Sequence, residues 1–243
     1  MNLFLDSNVW LSLFDSFRRD LDELRRLADL VEGGSVTLLL PDQVVNEVRR
    51  NRDKRIASDI EQLRSEILLE EIPPLFYGLQ EYQSFARVRR NYLEAKDRLV
   101  ARLIENFEQG RLPADESMDR LFAAARRLPV SDALLARART RYDLGNPPGK
   151  EGSYGDAVIW ECLLAEVKDG EDLYLVTRDR DFASKVDRGR LSPFLDREWT
   201  ERKRSRVVFY NRLSAFCRDN LPEVRLTDDL EEEADETSSF ESR

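Results

Sequence analysis

Five carboxylates in this 243-residue sequence stand where apolar runs give way to turns and helices, and oxygen ligands of that kind hold hard divalent cations. Asp6 closes the run Leu3, Phe4, Leu5 and is followed by Ser7 and Asn8. Glu47 lies in PDQVVNEVRRN, one position round from Val44 and Val48 at the rim of an apolar helix face. Asp156 opens DAVIWECLL, where Glu161 is the one other polar residue, so the helix it begins is expected to be buried on nearly every side. Asp179 and Asp181 follow LYLVT in the run RDRDF. Singly, each has an ordinary reading: Asp6 or Asp156 as a helix cap, Glu47 as an exposed helix residue, Asp179 as a turn former. Together they need a reason, because like charges at one place raise one another's pKa, and a divalent cation removes that penalty.

Composition narrows the chemistry. There is no histidine, which excludes Ser-His-Asp and Cys-His catalysis, histidine bases and nearly all zinc enzymes. Cys162 and Cys217 match no metal or redox spacing. Carboxylates without His or Cys partners select Mg²⁺ or Mn²⁺. An apolar content of 41% is enough for a core, and 36% charged residues imply a heavily solvated surface. No apolar run approaches a membrane span, and the start MNLFLDSNVW has no basic leader and carries Asp6 within its apolar run, unlike a signal peptide. With so few cysteines, the expected compartment is the reducing cytoplasm.

The net charge of −9 is unevenly placed. Residues 228–243 hold eight acids and one arginine, whereas residues 87–141 hold thirteen Lys/Arg against eight Asp/Glu, and ERKRSR at 201–206 is a second basic cluster. A body near neutrality with basic stretches is compatible with nucleic acid. The acidic tail has too little apolar surface to offset ordering and is expected to be disordered. It is either a solubility appendage or a tethered polyanion that competes with nucleic acid for a basic cleft.

The elements that must carry these residues follow from hydrophobic period and punctuation. Residues 3–5 and 35–40 read as strands covered on both faces, and a helix from about Val9 continues through Leu21, Leu24, Leu27 and Val31 to the stop at Gly33 and Gly34. A helix starts at Pro41 and Asp42, residues 59–71 are amphipathic, and Pro73 and Pro74 break the chain. A long helix over about 80–109 and two shorter ones near 114–127 and 131–142 precede the turn-rich GNPPGKEGSYG. After the buried helix, 173–177 and 206–210 are strands and 211–220 a closing helix. Strand–helix alternation at both ends with a wholly helical middle predicts an α/β fold: three α/β/α layers on a mainly parallel sheet, with a helical insertion over about 55–145 in a single domain of residues 1–227. Ligands of such sheets bind beyond the carboxyl ends of the strands, where Asp6, Asp179 and Asp181 stand.

LFLDSNVW, Glu47 in LPDQVVNEVRRN, GSYGDAVIW and LVTRDRDF, in that order, resemble the PIN-domain nucleases over residues 2–50 and 150–215. The resemblance implies a nuclease in which Asp6, Glu47, Asp156 and Asp179 hold two divalent ions, one activating water and the other stabilising the leaving 3′ oxygen. Asp179 matches the family's T-x-D form and is preferred; Asp181 matches T-x-x-x-D and is the substitute. Ser7, Asn8 and Thr177 correspond to small polar residues that orient ligands or water. Lys150 and Ser153, in the turn-rich loop, are candidates for a phosphate contact, or Lys150 is an ordinary solvated loop lysine. The implied products carry 5′-phosphate and 3′-hydroxyl ends, and the implied substrate is single-stranded RNA before DNA, with a protein inhibitor as a further partner. The arginine and tyrosine mixture at 85–142 offers a backbone track and stacking surfaces, or equally a solvated helical face. Two other classes stay open: a PIN-like scaffold that binds RNA or protein without cutting, and a haloacid-dehalogenase-like phosphatase. The phosphatase needs an Asp two residues after the strand-end Asp, and that position is Asn8.

Overall fold

Leu3, Phe4 and Leu5 are almost wholly enclosed, as an apolar run without alternation requires of a strand covered on both faces. The structure, a computed structural model, describes residues 1–15, 18–66, 74–149 and 154–226. The expected acidic tail lies outside these residues, as do Lys150 and Ser153. In chain order the elements are β1 (Asn2–Leu5), α1 (Ser7–Ser12), α2 (Arg18–Glu32), β2 (Thr37–Pro41), α3 (Asp42–Ser65), α4 (Gln80–Glu108), α5 (Pro113–Ala124), β3 (Arg126–Leu128), α6 (Asp132–Asp143), α7 (Gly155–Glu166), β4 (Leu173–Val176), α8 (Pro193–Lys203), β5 (Val207–Tyr210) and α9 (Leu213–Asn220). The strands form one sheet in the order β3-β2-β1-β4-β5, every neighbouring pair parallel. Helices cover it to give the three α/β/α layers expected from the sequence. No helix among the described residues is long and apolar enough to cross a membrane.

Strand β1 lies at the centre because its neighbours leave in opposite directions, β2 on one side and β4 on the other. The crevice at the carboxyl ends of β1 and β4 is therefore the switch point of the sheet, the place where loops diverge and a ligand fits. Parallel pairing in register, Phe4 with Leu175 and Leu5 with Val176, brings the residues after both strands side by side.

Helix α7 is the most buried in the chain. Ala157 through Leu164 are all enclosed, including Glu161. A carboxylate there requires a partner, and Arg141 on α6, itself buried, supplies one at 2.7 Å, while Arg137 reaches it at 3.2 Å. Arg141 also bonds Glu198 of α8, which accepts from Trp160 Nε1 at 2.8 Å. One network thus ties α6, α7 and α8 and fixes the helix that carries Asp156.

Four details depart from the sequence-based expectation. The middle is not wholly helical: β3 pairs with β2 as the sheet edge. Its two arginines are exposed and only Leu128 is buried, so the strand shows no apolar alternation, while its backbone bonds hold it to the sheet. Flanking it, α5 and α6 add Met118, Leu121, Leu134 and Ala138 to the main core. The two helices expected over 41–51 and 59–71 are one, α3, because RNRDKR contains no helix breaker. Its first half packs Val44, Val45 and Val48 into the main core, and its second half packs Ile56 and Ile60 with Val100 of α4 and Leu112 in a small separate cluster. Arg52 marks the crossover, paired with Asp115 at 2.7 Å and lying 4.4 Å over the Phe107 ring. The helix expected from Val9 breaks after Ser12, whose hydroxyl donates back to the Val9 carbonyl at 2.7 Å. Finally, α8 has no counterpart in the sequence-based expectation; Leu195, Trp199 and Lys203 form its single buried stripe.

Candidate metal centre

Asp6 leaves β1 and is 2% exposed. Its carboxylate accepts from Ser7 N at 2.6 Å, Asn8 Nδ2 at 2.9 Å and Thr177 Oγ1 at 2.5 Å. The first of these bonds caps α1, so the capping role and the place in the crevice coexist. Thr177, fully buried at the end of β4, also accepts from Asp179 N at 2.9 Å, and Asp179 Oδ1 accepts from Asp181 N at 2.9 Å. Asn8 Oδ1 accepts from Arg178 N at 3.3 Å. The segments leaving β1 and β4 are thereby laced together by side chains that Ser7, Asn8 and Thr177 flank. Asn8 and Thr177 act through their side chains, whereas Ser7 reaches Asp6 through its backbone N–H.

Carboxylate oxygens of Asp156, Asp179 and Asp181 all lie within 4.8 Å of one another. Asp156 stands in the first turn of α7 and is not its cap: the cap position is Tyr154, with no side-chain capping bond. Asp156 is thus not the cap residue, while its charge in the first turn suits the positive end of the helix. Glu47 and Asp6 lie outside that trio, Glu47 on α3 with its carboxylate against the start of α7. Gln43, one turn earlier, donates to Glu47 Oε1 at 2.6 Å. A Cβ added at Gly155 would lie 2.4 Å from that same oxygen, so α7 begins with the one residue that lets the Glu47 carboxylate lie against it.

The charges of Glu47 and Asp179 are felt at Asp6. Burial chiefly, with these two carboxylates adding to it, pushes the Asp6 carboxyl up from 3.8 to about 6, although bonds from Thr177 and Ser7 pull the other way. An all-oxygen set of this kind fits a hard divalent cation. The two cysteines are buried thiols, pushed up by burial to about 11 for Cys162 and about 12 for Cys217.

Two positions escaped the sequence reading, Gln43 and Gly155. Each carried a signal. Gln43 precedes Glu47 by four residues on one helix face, and Gly155 immediately precedes Asp156.

A family model described as PIN domain matches residues 3–182. The match runs through the middle helices, which the four motifs alone do not cover. No curated protein and no solved structure gives a match.

Proposed function

The chain belongs to the PIN-domain family, and on that premise we propose that it is a metal-dependent nuclease that hydrolyses phosphodiester bonds of single-stranded RNA, leaving 5′-phosphate and 3′-hydroxyl ends. The observation that carries this reading is the meeting of Asp156, Asp179 and Asp181 within 4.8 Å at the sheet's switch point, beside a buried Asp6. Asp6, Glu47, Asp156 and Asp179 are the residues that would hold Mg²⁺ or Mn²⁺, with Asp181 as the neighbour able to replace Asp179. When bound, the cation supplies Lewis-acid stabilisation of phosphate charge and a more acidic attacking water, which is how a chain without histidine carries out hydrolysis.

The remaining work belongs to the chain's own residues. Thr177 and Asn8 hold the Asp6 carboxylate in one orientation by bonds of 2.5 and 2.9 Å. Gln43 does the same for Glu47. Ligands fixed in this way lose little conformational freedom when the cation and substrate arrive. RNA is preferred to DNA because the family mostly cuts RNA; α4, with exposed Arg87, Arg90 and Arg98, provides a surface that a strand would follow. A reducing compartment such as the cytoplasm is part of this proposal, supported by two cysteines that stand unbridged.

The test is incubation of the protein with end-labelled single-stranded RNA and DNA in Mg²⁺, Mn²⁺ or EDTA. Cleavage of RNA in either metal, silence in EDTA, products that accept ligation at their 5′-phosphate, and a loss of at least about a hundredfold in Asp156→Asn are expected. Cleavage that persists after exhaustive chelation, or wild-type turnover by Asp156→Asn, overturns the reading. A chain that binds RNA in metal and leaves it whole is instead a scaffold of the same fold.

A further inference from the structure

A cavity of about 180 Å³ opens at the carboxyl ends of β4 and β5 and shares Thr177 and Asp179 with the acidic centre. Four arginines line it: Arg178 and Arg180 from the segment leaving β4, Arg188 from the loop that follows, and Arg212 just beyond β5. Among the described residues Asp179 is the one carboxylate in its wall, and Phe209 gives it an apolar side. Four arginines lining one cavity bring positive charge to it, and an anion is favoured there. Their planar forks match the oxygens of a phosphate. The volume equals about six waters at ~30 Å³ each, room for the five heavy atoms of a phosphate group.

The loop is built to hold its arginines in place. Phe182 is fully buried, its carbonyl accepts from Ser192 N at 2.8 Å, and Ala183 bridges to Leu191. Ser184 N donates to the Arg190 carbonyl at 2.8 Å, and Ser184 Oγ accepts from Val186 N at 3.2 Å. At the other end, Arg178 is tied through its N–H to Asn8.

We propose that this four-arginine cavity is a phosphate subsite for the nucleic-acid strand, seating the backbone phosphate next to the one presented to the acidic centre. Its place beside a scissile phosphate rests on the nuclease reading; the phosphate chemistry of the cavity does not. Were a cation held at Asp156, Asp179 and Asp181, a strand lying across Asp179 would meet positive charge at two successive phosphates, one at the cation and one at the arginines of the adjoining cavity. Phe209 offers the neighbouring sugar or base an apolar wall. The subsite thereby fixes which phosphate reaches the carboxylates.

The experiment uses the full chain in EDTA, so that binding is read apart from cleavage, with a fluorescein-labelled single-stranded oligoribonucleotide over a range of salt. Arg180 and Arg188 are exposed, so the double variant Arg180→Ala/Arg188→Ala is expected to keep the wild-type melting temperature. Its Kd should rise about tenfold at low salt, and the slope of log K against log salt should become shallower by about 0.7, the value for the one subsite phosphate no longer neutralised. Arg180→Lys/Arg188→Lys should recover most of the slope and part of the affinity. Lys168→Ala/Arg197→Ala, which removes the same charge from exposed positions after α7 and on α8, should change Kd less than twofold. Wild-type binding by Arg180→Ala/Arg188→Ala, or equal weakening by the Lys168–Arg197 pair, overturns the subsite. The two readings fail separately. If the wild type cuts RNA and Arg180→Ala/Arg188→Ala binds and cuts as well as it does, only the subsite falls; if the wild type never cuts and that variant still loses binding, only the nuclease reading falls.

Discussion

Replacing Asp6 by Asn should make the metal-free protein more stable at neutral pH. Asp6 is fully enclosed and its carboxyl sits at about 6 instead of 3.8, first because of burial and then because of the charges on Asp179 and Glu47. At ~1.4 kcal/mol per pH unit, keeping that group ionised in the folded chain costs about 3 kcal/mol at pH 7. An amide removes this cost and brings a smaller one. Ser7 N donates to one carboxylate oxygen, and Asn8 and Thr177 donate to the other, so an Asn with a single oxygen leaves one side facing a donor, at about 1–1.5 kcal/mol. The net gain is about 1–2 kcal/mol, roughly 4 °C in Tm for a chain of this size. The sign with pH is fixed. Because the folded pKa lies above the unfolded one, the contribution of Asp6 to stability is fully present below about pH 4 and is lost as pH rises through about 6. Asp6→Asn lacks this titration, so the gap between the proteins should open from pH 4 to pH 7 and then level off. Urea denaturation in EDTA at a series of pH values measures it. Adding Mn²⁺ should reverse the order at pH 7, since the wild type gains a bound ion and the variant loses a ligand. A variant less stable than wild type at pH 7 in EDTA, or a gap that ignores pH, refutes the claim of a crowded, desolvated carboxylate cluster.

Three further outcomes are expected. Gly155→Ala should fold with a stability change within about 1 kcal/mol, alanine being the better helix former, yet bind Mn²⁺ about tenfold more weakly because its Cβ displaces the Glu47 carboxylate; unchanged Mn²⁺ titration calorimetry removes Glu47 from the site. Glu161→Ala should lose about 1.5–3 kcal/mol in urea denaturation by removing its charge-assisted bonds to Arg141 and Arg137 while Arg141 keeps Glu198, and a loss below about 1 kcal/mol means the network does not hold α7 as described. A chain ending at Thr227 should bind single-stranded RNA several-fold more tightly at low salt, with the difference fading as salt rises. Equal affinity at low salt makes the acidic segment a solvated appendage.

What the sequence disclosed and what it hid follow from where each signal resides. Strands β1, β2 and β4 are legible because a strand covered on both faces must be apolar at every position, as in Leu3–Leu5 and Leu38–Leu40. Helix α7 is legible for the same reason, and the residues that end β1 and β4 fall in one crevice because parallel sheets gather their strand ends on one side. Strand β3 is held by backbone pairing at an edge, with two exposed arginines, so its residue types carry almost no strand signal. A capping role for Asp156 is plausible from residue type alone; the structure has Tyr154 at the cap position and Asp156 in the first turn, its carboxylate near those of Asp179 and Asp181. Gln43 and Gly155 matter through their distance from Glu47, and distance between α3 and α7 is a property of the packed chain. The arginine cavity is of the same kind: Arg178, Arg188 and Arg212 come from three segments that meet only when β4 and β5 pair.

Anomalous diffraction from a wild-type crystal soaked in Mn²⁺ would locate the ion itself. A manganese peak is expected within coordination distance of the Asp156 and Asp179 carboxylates, with Asp6 and Glu47 around it, and no peak there in Asp156→Asn crystals treated alike. Manganese bound elsewhere, or an acidic crevice that stays free of the ion at saturating Mn²⁺, contradicts the claim that these carboxylates converge to hold the catalytic metal.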